Sequence, residues 1–129
     1  MSQNNPYEEM IQNMPAGLDR AILRIVNFHR GKAAAIGGEE LTRQVGMSGF
    51  HIDQRTVREM IKELRRAGHL ICSTPGQAGG YYLATDLAEY WEFRKQEYQA
   101  KIIDMSETMS AMDKAADEQF GQGVQGSLF

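Results

Sequence analysis

Hydrophobic positions recur with a helical period in several stretches of the chain and with a β-type pattern in one. Over residues 53–68, DQRTVREMIKELRRAG, Val57, Met60, Ile61 and Leu64 stand at i, i+3, i+4 and i+7, which predicts one amphipathic helix. Asp53 stands where an N-cap belongs and Gly68 where a left-handed C-terminal residue belongs. Residues 17–30, GLDRAILRIVNFHR, predict an earlier helix with a stripe of Leu18, Ile22, Ile25 and Val26, extended by Leu23 and Phe28 and stopped by Gly31. Residues 32–36 predict a brief edge strand, Gly37-Gly38 a break, and residues 39–45 a short helix with Leu41 and Val45 as its apolar pair. Residues 46–52, GMSGFHI, read as a turn. Two β-prone runs, 70–74 and 81–84, flank PGQAGG and predict a hairpin.

A long last helix is expected over 86–120. Asp86 with Glu89 three positions on has the spacing of a capping box. Apolar residues follow at Leu87, Trp91, Tyr98, Ile102, Met105, Met109, Met112 and Ala116; from Ile102 onward the steps are 3, 4, 3 and 4, a coiled-coil spacing that implies pairing with a second copy. Arg94 breaks that seam earlier. The polar stretch 1–15, with Pro6 and Pro15, predicts a flexible leader, with a short helical turn over 7–14 as the alternative. The domain expectation is therefore a leader at 1–15, a small domain at 16–85, a long helix at 86–120 and a flexible tail at 121–129.

Composition narrows the class of protein. A chain of 129 residues suits one small core with appendages. It has no run of about eighteen apolar residues, so no membrane span is expected, and its N-terminus lacks the basic flank and apolar segment of a signal peptide. Its single cysteine, Cys72, lies in an apolar run and excludes an internal disulfide, which favours a cytoplasmic location and a core role for that thiol. The net charge of −3 conceals a strong asymmetry. Residues 17–75 hold ten Lys/Arg against six Asp/Glu, whereas residues 86–129 hold four against nine. An excess of positive charge in the middle segment permits an anionic partner there.

Enzymatic chemistry finds little support. His29, His51 and His69 are scattered without metal-ligand spacing, so no metal is expected. The Gly-Gly pairs at 37–38 and 79–80 lack the Lys-Ser/Thr of a phosphate loop, and no nucleophile stands in a recognisable arrangement with a base. No cofactor and no catalytic activity are expected.

The order helix, short strand, helix, helix, two-stranded wing resembles the winged helix-turn-helix family over about residues 17–85. The most specific segment is LTRQVGMSGFHIDQRTVREMIKELRRAGHLICS followed by GGYYLA, and small phage and prophage proteins of that family look alike here. The resemblance implies a mainly α fold with a small β-hairpin wing. It further implies a non-catalytic protein that binds double-stranded DNA, in transcription regulation or as a replication accessory, with the third helix in the major groove. Carried over by position, Gln54, Arg55, Thr56, Arg58 and Glu59 are the candidates for base edges. Lys62, Arg65 and Arg66 suit phosphates, and Arg43 on the preceding helix extends the footprint. Two features depart from the family pattern: the wing tip, 75–80, has no Arg or Lys, and the turn before the third helix is long.

The chain ends in Gln-Gly-Ser-Leu-Phe, which resembles the peptide by which bacterial replication and repair proteins bind the sliding clamp. Gln125, Ser127, Leu128 and Phe129 match that pattern, and Gly126 departs from it. This resemblance implies a second function class, an adaptor that recruits the clamp.

Overall fold

The computed structural model describes residues 6–76 and 79–121. Along them run α1 (Pro6–Asn13), α2 (Leu18–Val26), a 3-10 turn (Lys32–Ala34), β1 (Ile36–Gly37), α3 (Gly38–Met47), α4 (Gln54–Arg66), β2 (Ile71–Ser73) and β3 (Gly80–Leu83). α5 (Leu87–Arg94), a π-helical turn (Lys95–Gln99) and α6 (Ala100–Phe120) follow. The molecule is thus mainly helical, with a small antiparallel sheet and a long C-terminal helix. The chain divides into two units, 1–91 and 92–129. No helix among the described residues is long and apolar enough to cross a membrane.

The predicted stripes build the core of the first unit. Ile22, Leu23 and Val26 from α2, Leu41 and Val45 from α3, and Val57, Ile61 and Leu64 from α4 form one buried cluster with Ile36, Ile71 and Leu83 of the strands. Each such side chain contributes about 1.5–3 kcal/mol on leaving water. Cys72 is buried as well, and burial pushes its thiol up to about 11, which suits packing rather than reactivity. α4 begins and ends where the sequence indicates. The Asp53 carboxylate accepts from the Thr56 backbone N–H at 2.9 Å, and Gly68 has φ +100, a conformation that disfavours any side chain.

Local chemistry moves several boundaries. The helix expected over 17–30 stops at Val26, because the next residues turn to the sheet: the His29 carbonyl accepts from the Leu83 N–H, and the Gly31 N–H donates to the Leu83 carbonyl. Phe28 leaves the stripe and is 84% exposed. The strand expected over 32–36 survives only at Ile36–Gly37, since the alanines preceding it have little β preference and curl into the 3-10 turn. That short strand makes the expected hairpin a three-stranded antiparallel sheet of order β1-β3-β2, with Ile36 opposite Tyr81 and Gly37 opposite Gly80. Glycine is required at 80, where a Cβ would lie 2.4 Å from the Ile36 carbonyl oxygen. At the entry to α5 the Glu89 N–H donates to Asp86 as the capping spacing predicts. The Glu89 carboxylate, however, accepts from the backbone N–H groups of Thr85 and Lys32 instead of closing the box on Asp86.

Of the two readings of the first residues, the helical turn over 7–14 is the one found in the described stretch 6–13. These residues form α1, whose Ile11 is buried in the core while Tyr7, Met10 and Met14 pack against it. The Tyr7 hydroxyl lies 3.0 Å from His69 Nδ1, beyond the end of α4, and the two rings meet edge to face. Burial pushes the Tyr7 hydroxyl up to about 12 and holds His69 below its ordinary value. A depressed histidine favours its neutral form in the folded chain. Its contribution is therefore complete above the unfolded value near 6.5 and declines as pH falls from there through the folded value. The melting temperature is expected to fall between pH 7 and pH 5, and His69→Gln to flatten that part of the profile, as followed by circular dichroism.

Within the second unit, Phe93 meets Tyr98 edge to face at 5.6 Å, and Lys101 pairs with Glu97 at 2.8 Å. The π-helical turn after Arg94 carries an i to i+5 repeat, so the apolar phase resumes with α6 instead of continuing unbroken from Trp91. On α6, Ile102, Met105, Met109 and Met112 are 56–70% exposed.

Candidate nucleic-acid interface

With Val57, Ile61 and Leu64 turned into the core, α4 presents its opposite side to solvent. Arg55, Arg58, Lys62 and Arg66 are all exposed. At 3.6 residues per turn they fall within about 80° of the helix circumference and extend about 16 Å along its axis. Glu59 and Glu63 lie beyond one edge of that arc. The i, i+4 ion pairs that would make it an ordinary solvated face do not form. Among the described residues, Arg55, Arg58, Lys62 and Arg66 make no ion pair or hydrogen bond. Four cations without ion pairs, on a ridge about as broad as one helix, match the width of a duplex major groove, about 12 Å.

The other candidates are held in more specific ways. Thr56 is committed to the cap, its hydroxyl donating to Asp53 at 2.7 Å, and these Thr56 bonds hold the Asp53 carboxyl below its usual range. Gln54 leans over the start of α3, where its carboxamide oxygen would lie 3.2 Å from a Cβ on Gly38. Glu59 is exposed on the rim of the basic arc. Arg43 is neutralised in place by a two-pronged contact with Glu40 at 2.9 and 2.6 Å. The Arg43 and Gln44 hydrogen bonds hold the Glu40 carboxyl at about 2, and the same partner raises Arg43.

Arg65 has a different task from the phosphate contact expected of it. It is half-buried, its Nε donates to the Ile71 carbonyl at 2.7 Å and a terminal nitrogen reaches the Ser73 hydroxyl at 3.4 Å. The guanidinium therefore ties α4 to β2. The signal was present in the sequence, because position 65 follows Leu64 at the margin of the apolar stripe, where a long side chain lies along its own protein.

Between the start of α4 and the hairpin is a cavity of about 920 Å³ lined by Gly37, Gly38, Glu39, Glu40, Gln54 and parts of β2 and β3. Glu39 and the Arg43-paired Glu40 on its wall make this cavity a poor place for a phosphate, in contrast to the outer face of α4. The wing adds no described cation, consistent with the composition of 75–80. Gln125, Ser127, Leu128 and Phe129 lie outside the described residues.

A second concave surface was not foreseen. A groove of about 590 Å³ lies between α2 and the turn that joins α3 to α4, with Arg20 and Arg24 on one wall. The spacing i, i+4 on a helix was the available clue. Comparison with protein-family models, with curated proteins and with solved structures finds no match for the chain.

Proposed function

We propose that this is a non-catalytic, winged-helix type protein that binds double-stranded DNA by laying the outer face of α4 into the major groove. The observation that carries the reading is the row of four unpaired, exposed cations on one face of a rigidly capped helix. Arg55 and Arg58, near the N-terminal end, suit guanine edges, while Lys62 and Arg66 suit the flanking backbone. Arg65 fixes the helix to the sheet so that the row is presented as a unit. A helix–strand–helix–helix–hairpin order supports the reading, because such a unit commonly offers its third helix to DNA. The mobility of a mixed-sequence duplex in a native gel tests it: retardation of the duplex by the full chain is expected, and failure to retard it at low salt would overturn the reading.

The second unit joins two copies. Ile102, Met105, Met109 and Met112 repeat at coiled-coil spacing along α6, which buries none of its residues, and a paired copy of the same helix is a complementary cover for such a seam. Each copy then brings its own α4 face. Met109→Lys places a charge in the seam of each copy, and the wild-type dimer is expected to become a monomer by light scattering at micromolar concentration. A dimer that survives this substitution would remove α6 as the seam.

A further inference from the structure

We propose that the groove between α2 and the α3–α4 turn is a binding site for a small organic anion, a carboxylate or phosphate carried on a flat apolar body. Its volume of about 590 Å³ lies in the range of about 300–1,000 Å³ that small-molecule sites occupy. The Nε of Arg20 is buried in the wall without a hydrogen-bond partner. A guanidinium N–H cut off from water and from acceptors is costly, and because the rest of the Arg20 side chain lines the groove, a small reorientation toward an oxyanion bound there would satisfy it. Arg24 stands one turn further along the same wall, and none of the lining residues is an Asp or Glu. The nearest acid in sequence, Asp19, accepts from the Arg20 backbone N–H.

The rest of the groove is suited to something other than a bare ion. Ile25, Phe28 and Phe50 line it, and Phe28 offers 84% of its surface to a ligand. An aromatic or similarly flat body stacks on such rings while its anionic end meets the two guanidiniums. Gln44 and Ser48, from the C-terminal end of α3, supply polar groups on the facing wall. A DNA backbone has charge but no apolar body for Phe28 and Phe50, so a small amphiphilic anion fits the lining better. The inference does not depend on α4 meeting DNA.

The test is a titration of the full-length, nitrogen-15-labelled protein with phenyl phosphate, read from amide shifts. Benzyl alcohol, inorganic phosphate and a short duplex serve as the comparison ligands. Saturable shifts centred on Arg24, Phe28 and Ser48 are expected with phenyl phosphate, at least about tenfold tighter than with either half-ligand. Arg20→Gln is expected to weaken binding about tenfold, the scale of one charge-assisted hydrogen bond. Phe28→Ser, at an exposed position that leaves the fold intact, is expected to weaken it several-fold. Three results would each overturn the proposal: no saturable shift, benzyl alcohol or inorganic phosphate binding as well as phenyl phosphate, or displacement of phenyl phosphate by the duplex at these same amides.

Discussion

Replacing Arg55 and Arg58 together by alanine is expected to raise the dissociation constant for duplex DNA at least about thirtyfold while shifting the melting temperature by only a few degrees. Well-formed arginine contacts to guanine contribute about 1–3 kcal/mol each, so losing two costs at least about 2 kcal/mol. Neither side chain has a partner within the described residues whose loss would weaken the fold, and exposed substitutions of this kind shift stability by about 0.5 kcal/mol or less. Arg43→Ala supplies the internal contrast. Its guanidinium already rests on Glu40, so its removal should weaken binding far less than the double replacement. Fluorescence anisotropy of the three proteins on one labelled duplex measures the difference. Equal losses from Arg43→Ala and the double variant would mean that general charge, not the α4 face, governs binding.

The other large effect is on stability. Leu41 is fully buried where α3 packs into the core shared with α2 and α4, and Leu41→Ala is expected to cost about 2–5 kcal/mol through lost burial and the cavity left behind. Domains of this size have about 5–15 kcal/mol in all, and each 1 kcal/mol moves the melting temperature by about 4–8 °C. A fall of at least about 8 °C is therefore predicted by calorimetry. A fall of only a degree or two would mean that α3 does not pack as described and that the base on which α4 rests is misdrawn.

The parts of the fold legible in the sequence were those governed by local rules. Val57, Ile61 and Leu64 announced the buried side of α4 by their spacing, and Asp53 and Gly68 announced its ends. Leu41 and Val45 did the same for α3 with only two residues, because both are wholly buried. What escaped depended on contacts between residues distant in the chain. Helix α1 is polar enough to pass for a leader, yet Ile11 docks it into the core and Tyr7 reaches His69, 62 positions away. Phe28 continues the stripe of α2 on a helical wheel, but the pairing of His29 and Gly31 with Leu83 ends the helix first. On the candidate interface, the resemblance to winged helices named Arg55 and Arg58 for base edges and Lys62 and Arg66 for phosphates, and the folded chain sets all four on one exposed face of α4. The resemblance also named Arg65 for phosphates and Arg43 for a wider footprint, because the Ile71 carbonyl and the Glu40 carboxylate that occupy them become visible only with the chain folded.

The central claim is that the α4 face neutralises DNA, and its most direct measurement is the salt dependence of binding to a labelled random duplex by the full-length protein. Each phosphate neutralised contributes about −0.9 to the slope of log affinity against log salt. Should both copies of the proposed dimer engage one duplex, Lys62 and Arg66 from each would make four such contacts, for a slope near −3.6. Between about 50 and 200 mM salt the affinity should then fall roughly a hundredfold. A duplex that fails to bind at the lower salt, or that binds with the same affinity at both, would contradict the account.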